Sequence, residues 1–169
     1  MLKKLLIFFI ALAPMGAVAQ DVKIAYINAQ EVFVAMPELD GIETQLNEKQ
    51  EQINKNGQAL IDEFNRKLEE FESTAETASD ALKMDQQKQL ESIQERYQLF
   101  SQNSQQEMNQ LRQQLLSPLN QKIADAIKAI GDANNYTYIL DVSTMPSPVV
   151  YVSPNATDIT QEVKTRLGL

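Results

Sequence analysis

The chain has 169 residues, with 15 Lys and Arg against 23 Asp and Glu, a formal net charge of −8, and no Cys, His or Trp. A thiol nucleophile, a disulfide framework, a Cys/His metal cluster and a histidine general base are therefore excluded, and five scattered glycines cannot build a Gly-rich phosphate loop. The surplus of carboxylates also argues against nucleic acid as a partner, because phosphate binding needs clustered Lys and Arg.

Lys3 and Lys4 precede nine apolar residues at 5–13, which are followed by Pro14 and the small triplet Ala17-Val18-Ala19. This is the order of a secretory signal peptide, so residues 1–19 are expected to direct export and to be cleaved after Ala19. The apolar run falls well short of the roughly 20 residues that span a bilayer, so no transmembrane segment is expected after cleavage. Loss of Lys3 and Lys4 takes the net charge from −8 to −10.

Val22-Lys23-Ile24-Ala25-Tyr26-Ile27 is β-branched and aromatic and reads as a strand. Asn28 with Glu31 three residues on resembles a capping box and predicts a short helix over 29–36, ended by Pro37. From Leu39 onward, apolar or small residues recur at 39, 42, 46, 53, 57, 60, 64, 68, 71, 75, 78 and 82, with polar Lys49 filling one step. A second series runs 90, 93, 97, 100, 104, 108, 111, 115, 119, 123, 127 and 130. Both have the period of an α-helix and predict two long amphipathic helices.

Small and polar residues separate the two series at 72–80, where Ser79 or Asp80 can cap the second helix. Pairing 71 with 90, 64 with 97, 57 with 104 and 42 with 119 aligns the two seams and places the reversal between 80 and 81. The expectation is an antiparallel hairpin over 38–119, with its tip near 75–84 and legs roughly 57 Å long. The second helix should continue to a polar stop at Asn134-Asn135 with a bend at Pro118.

Tyr136-Thr137-Tyr138-Ile139-Leu140-Asp141-Val142 and Val149-Val150-Tyr151-Val152 read as two further strands. Thr157-Asp158 can cap a last helix in which Ile159, Val163 and Leu167 share a face. The fold class is α+β: a long helical hairpin inserted into a small β body made from residues 20–37 and 120–169. So few short strands bury too little to stand alone, which makes oligomerisation the natural remedy.

Lys23-Ile24-Ala25-Tyr26-Ile27-Asn28 with Val32-Phe33, then 118–130 followed by Tyr138-Ile139-Leu140-Asp141, Val150-Tyr151 and Asp158-Ile159-Thr160, resemble the OmpH (Skp) family of periplasmic chaperones for outer-membrane proteins. The resemblance covers the whole chain, although the arm matches by periodicity and length more than by identity. It implies a homotrimer whose terminal strands form a shared β body, here with Ile24, Tyr26, Ile27, Ile139, Leu140, Val150 and Tyr151 in that body. Three hairpins would project from it and enclose unfolded outer-membrane β-barrel proteins without ATP. The family's namesake is strongly basic and carries a basic lipopolysaccharide-binding cluster on the second arm helix. Residues 98–109 here hold Glu107 as their only charge, so lipopolysaccharide binding is not carried over.

Four apolar residues, Ile61, Met84, Leu99 and Leu116, lie beside the predicted seam and are the expected client contacts. Phe64, Leu68, Phe71, Ile93, Tyr97 and Phe100 are expected to pack within it. Gly57 and Ser104, predicted to meet at its thinnest layer, are the expected arm hinge. Carboxylate pairs such as Glu69-Glu70 sit where solvated helix faces would carry them, so no catalytic residue, cofactor or metal is nominated. The competing reading is an envelope spacer or adaptor whose acidic arm docks a folded partner at its tip.

Overall fold

The computed structural model describes residues 22–169; the expected signal segment, residues 1–19, lies outside them. The described chain runs β1 (Ile24–Ile27), α1 (Ala29–Val34), α2 (Glu38–Thr74), α3 (Asp80–Asn134), β2 (Tyr138–Asp141), β3 (Thr157–Asp158) and α4 (Thr160–Leu167).

Local chemistry sets most boundaries. Asn28 caps α1, its side-chain oxygen accepting from the Glu31 amide at 3.1 Å. The reciprocal half of the capping box is not made: Glu31 pairs with Lys164 of α4, and the Asn28 amide donates to Thr160 Oγ1. Glu38 and Asp40 place negative charge in the first turn of α2, where the helix dipole favours it. Ser79 caps α3 through the Leu82 amide, and Asn135 ends that helix at φ 55°, a left-handed conformation that asparagine tolerates better than most residues. Lys23 closes the same end by donating to the Asn134 carbonyl at 2.9 Å while lying over the Tyr136 ring.

α2 has 37 residues and α3 has 55, about 55 Å and 80 Å of helix at 1.5 Å per residue. They run antiparallel, and Glu38–Lys122, Lys49–Glu107, Glu63–Arg96 and Thr74–Gln86 bridge them from body to tip. The turn occupies residues 75–79, a few positions before the reversal point that matched periodicity suggests. A short register shift follows along the seam. Gly57 faces the ring of Phe100, with Cε1 3.3 Å from where a Cβ would stand. α3 continues through Pro118 as one helix, with Leu115, Leu116 and Leu119 on either side of the proline packed in or against the core.

The three strands form a parallel sheet in the order β2-β1-β3. Ala25 and Ile27 of β1 point toward the helices and join Val32, Met36, Ile42, Leu119, Ile123, Ala126, Ile130, Ile159 and Val163 in one buried core. The α3 members recur every three or four residues, which lays one stripe of that helix across the sheet. Ile159, Val163 and Leu167 share the inward face of α4, as their spacing predicts.

The expected strand at 149–152 is corrected. Those residues are unpaired, with Val150 98% and Tyr151 76% exposed, and the third strand is Thr157–Asp158. A β-rich composition states only that a segment suits a pleated, half-buried surface. Within one chain no strand pairs with 149–152, whereas Asp158 lies beside Tyr26 and the Ile159 amide donates to the Tyr26 carbonyl.

Candidate functional site

Two apolar surfaces stand out, one on the body and one on the arm. On the body, strand alternation sends Ile24 and Tyr26 to the side of the sheet away from the helices. The parallel register sets Ile24 beside Tyr138 and Tyr26 beside Leu140, so four large side chains share one face. Ile24, Tyr138 and Leu140 are exposed, and Val22 extends the patch. Burial raises the Tyr26 phenol, and the neighbouring Asp158 carboxylate raises it further by its charge and hydrogen bond, so the ring stays neutral. Ile27 and Ile139, expected in the body with them, lie on its inner side: Ile27 is buried under the helices of its own chain and Ile139 packs against the same core. Tyr138, on the outward face, was missed because strand periodicity leaves open which of two alternating sets faces in.

On the arm, the seam is continuous but thin, and most of its apolar side chains are only half-buried. Midway along it lies an open groove of about 450 Å³ lined by Leu60, Ile61, Phe64, Ile93, Gln94, Tyr97 and Gln98. Ile93 is buried at its base, while Ile61 and Tyr97 stand at its rim, 39% and 41% exposed. Helical spacing assigned Tyr97 to the seam. It opens outward because a two-helix ribbon has one contact line and cannot cover a ring that stands at its edge.

The remaining client candidates separate. Leu99 and Met84 are 59% and 60% exposed, and neither lines the groove. Leu116 is half-buried and packs against the body core, beside a second groove that includes Arg112 and Asn120. Gly57 and Ser104 are both buried in the seam.

Three ion pairs tie the two arm helices to one another, Glu38–Lys122, Lys49–Glu107 and Glu63–Arg96. Arg96 meets Glu63 through two parallel hydrogen bonds at 3.0 and 2.8 Å. These bonds hold the Glu63 carboxyl below its ordinary value and raise the Arg96 guanidinium above its own. A hydrogen bond from Lys122 lowers Glu38 in the same way at the arm's base. Among the described residues there is no cluster of three or more His, Cys, Asp or Glu groups placed to hold a metal, and no helix long and apolar enough to cross a membrane.

Compared with known proteins, residues 23–167 match the family of OmpH-like outer membrane proteins. The chain belongs to that family. Among relatives of this OmpH-like chain are the chaperone proteins Skp of Pectobacterium atrosepticum and Yersinia enterocolitica. Each is 28% identical over 158 residues, covering 91% of this chain and 90% of the relative. A crystal structure of an OmpH-like protein from Caulobacter crescentus CB15 superposes with a TM-score of 0.68 at 17% identity, over 85% of this chain and 82% of that one. The OmpH-like fold, long helices on a small sheet, is thus common to both structures.

Proposed function

We propose that this protein is an ATP-independent holdase of the periplasm, exported through residues 1–19, that retains unfolded outer-membrane β-barrel proteins between helical arms. The observation that carries the reading is the pairing of a long arm bearing exposed apolar side chains with a body whose sheet face is apolar and open. The named Skp relatives, chaperones by description, support the same role.

A second and third copy of the chain would cover Ile24, Tyr26, Tyr138, Leu140, Val150 and Tyr151, giving a homotrimer with three arms. Many weak contacts from three arms act at high effective concentration, so a client is held while each contact exchanges quickly. Ile61, Met84 and Leu99 are the arm contacts in this reading. Release needs no nucleotide, because a barrel that folds into the membrane buries the apolar surface the arms had held.

The test is a refolding assay. A urea-unfolded barrel protein is diluted into buffer with and without the mature protein, and light scattering is followed. Suppression that saturates near one trimer per client is expected. No suppression by an assembled trimer would overturn the holdase reading and favour a folded partner at the arm tip.

A further inference from the structure

We propose that the mid-arm groove is where an unfolded chain is gripped, and that it selects segments by their lack of charge. Its occupant is an extended, uncharged stretch in which apolar or aromatic side chains alternate with polar ones. The inference rests on the holdase reading and specifies the site and the chemistry of capture.

The first observation is the lining. Ile61, Phe64 and Tyr97 offer aliphatic and aromatic surface, and no charged side chain lines the groove. Gln94 and Gln98 stand one turn apart on α3 along its side. Each amide both donates and accepts, so the pair can serve the free N–H and C=O groups of an extended backbone without preferring a charged side chain.

The second observation is where the arm keeps its charge. Residues 69–88, around the tip, carry six carboxylates against two lysines. At the base, residues 38–52 and 107–119 again carry six carboxylates against two cations. Between them, residues 53–68 and 89–106 carry four of each, and Glu63 and Arg96 neutralise one another beside the groove. The groove is therefore a neutral window between two acidic zones. A neutral apolar segment is indifferent to the charge on either side, whereas a carboxylate-rich segment is repelled from both sides over the screening distance of about 10 Å at 0.1 M salt. Capture of acidic segments should consequently strengthen as salt rises.

The experiment uses the full mature chain and two labelled synthetic peptides followed by fluorescence anisotropy. One alternates Leu, Tyr and Phe with Ser and Gln; the other replaces the polar positions by Glu. The neutral peptide is expected to bind with an affinity nearly flat in salt. The acidic one should bind about tenfold or more weakly at low salt and approach it at high salt. Ile61→Gln with Tyr97→Gln should weaken the neutral peptide by about tenfold, with helicity by circular dichroism unchanged. Because the chain has no cysteine, Gln98→Cys can carry a single photocrosslinker, which should join to the peptide. Equal affinity for both peptides at low salt, undiminished binding by the double variant, or a crosslink to a second copy instead of the peptide would each overturn the proposal. If the double variant also suppresses barrel-protein aggregation as well as the unaltered chain, the groove falls while the holdase reading stands. Absence of suppression by the unaltered chain brings down both.

Discussion

Asp141 closes β2 and gathers three donors on one oxygen: the Ala29 amide at 3.2 Å, the Ser143 amide at 2.9 Å and the Ser143 hydroxyl at 2.7 Å. Burial pushes its carboxyl up, but the hydrogen bonds outweigh burial and hold it below the ordinary carboxylate value. Folding thus favours the ionised form. The resulting stabilisation is fully present at neutral pH and is lost as pH falls through the depressed folded value, below about 4. Urea unfolding across an acid series should show the body weakening in that window, and Asp141→Asn should flatten the slope there while lowering stability at neutral pH. Gly57 makes a second case at the same scale. A Cβ would stand 3.3 Å from Phe100 Cε1, so Ala fits if the ring yields by a few tenths of an ångström. Gly57→Ala should leave stability within about 1 kcal/mol, the gain in helix propensity offsetting the tighter contact. Gly57→Leu should displace the ring and cost about 1–3 kcal/mol in thermal unfolding. The proposed hinge adds that Gly57→Ala narrows spin-label distance distributions between arm tip and body.

At the scale of the element, the arm is a two-helix ribbon whose end is held by a polar pair. Gln86 is buried near the tip and donates to Thr74 Oγ1 at 3.1 Å, joining the last turn of α2 to the second turn of α3. A hydrogen bond of this kind contributes about 0.5–1.5 kcal/mol. Gln86→Ala should therefore fray the tip without unfolding the arm. Hydrogen exchange should quicken over residues 71–90, while the global unfolding midpoint of the body stays unchanged. The body end of the arm behaves differently, since Leu115 and Leu116 of α3 and Leu46 of α2 pack against the core cluster. Local opening should thus grade from tip to base.

At the scale of the whole molecule, one face of the sheet is apolar and open. Ile24, Tyr138 and Leu140 line up on it, and Val150 and Tyr151 are exposed as well. The proposed homotrimer predicts that charging that face by Ile24→Glu with Tyr138→Glu disperses it to single chains in light scattering coupled to chromatography. Far-UV circular dichroism should change little, because α2, α3 and the core beneath the sheet do not depend on those side chains. On the proposed holdase reading, retention of an unfolded barrel protein should then fall by about a hundredfold or more, as the three linked arms of the proposed trimer become one.

Much of this architecture is written locally. The 3.6-residue recurrence of apolar side chains, Asn28, Ser79 and Asn135 as caps, and Pro37 before α2 lie within a few residues of what they control, so they announce two long helices and their ends from sequence alone. The OmpH-like resemblance was legible in the same way, in short segments at both termini. What only the tertiary structure decided depends on residues far apart in the chain. The β1 strand pairs with strands more than a hundred positions away, and that pairing chose Thr157–Asp158 over 149–152 and turned Ile27 and Ile139 inward. The turn at 75–79 set the seam register, putting Gly57 against Phe100 and Tyr97 at a groove's rim. Period alone specifies a face; which residues that face finally covers is decided by what packs against it.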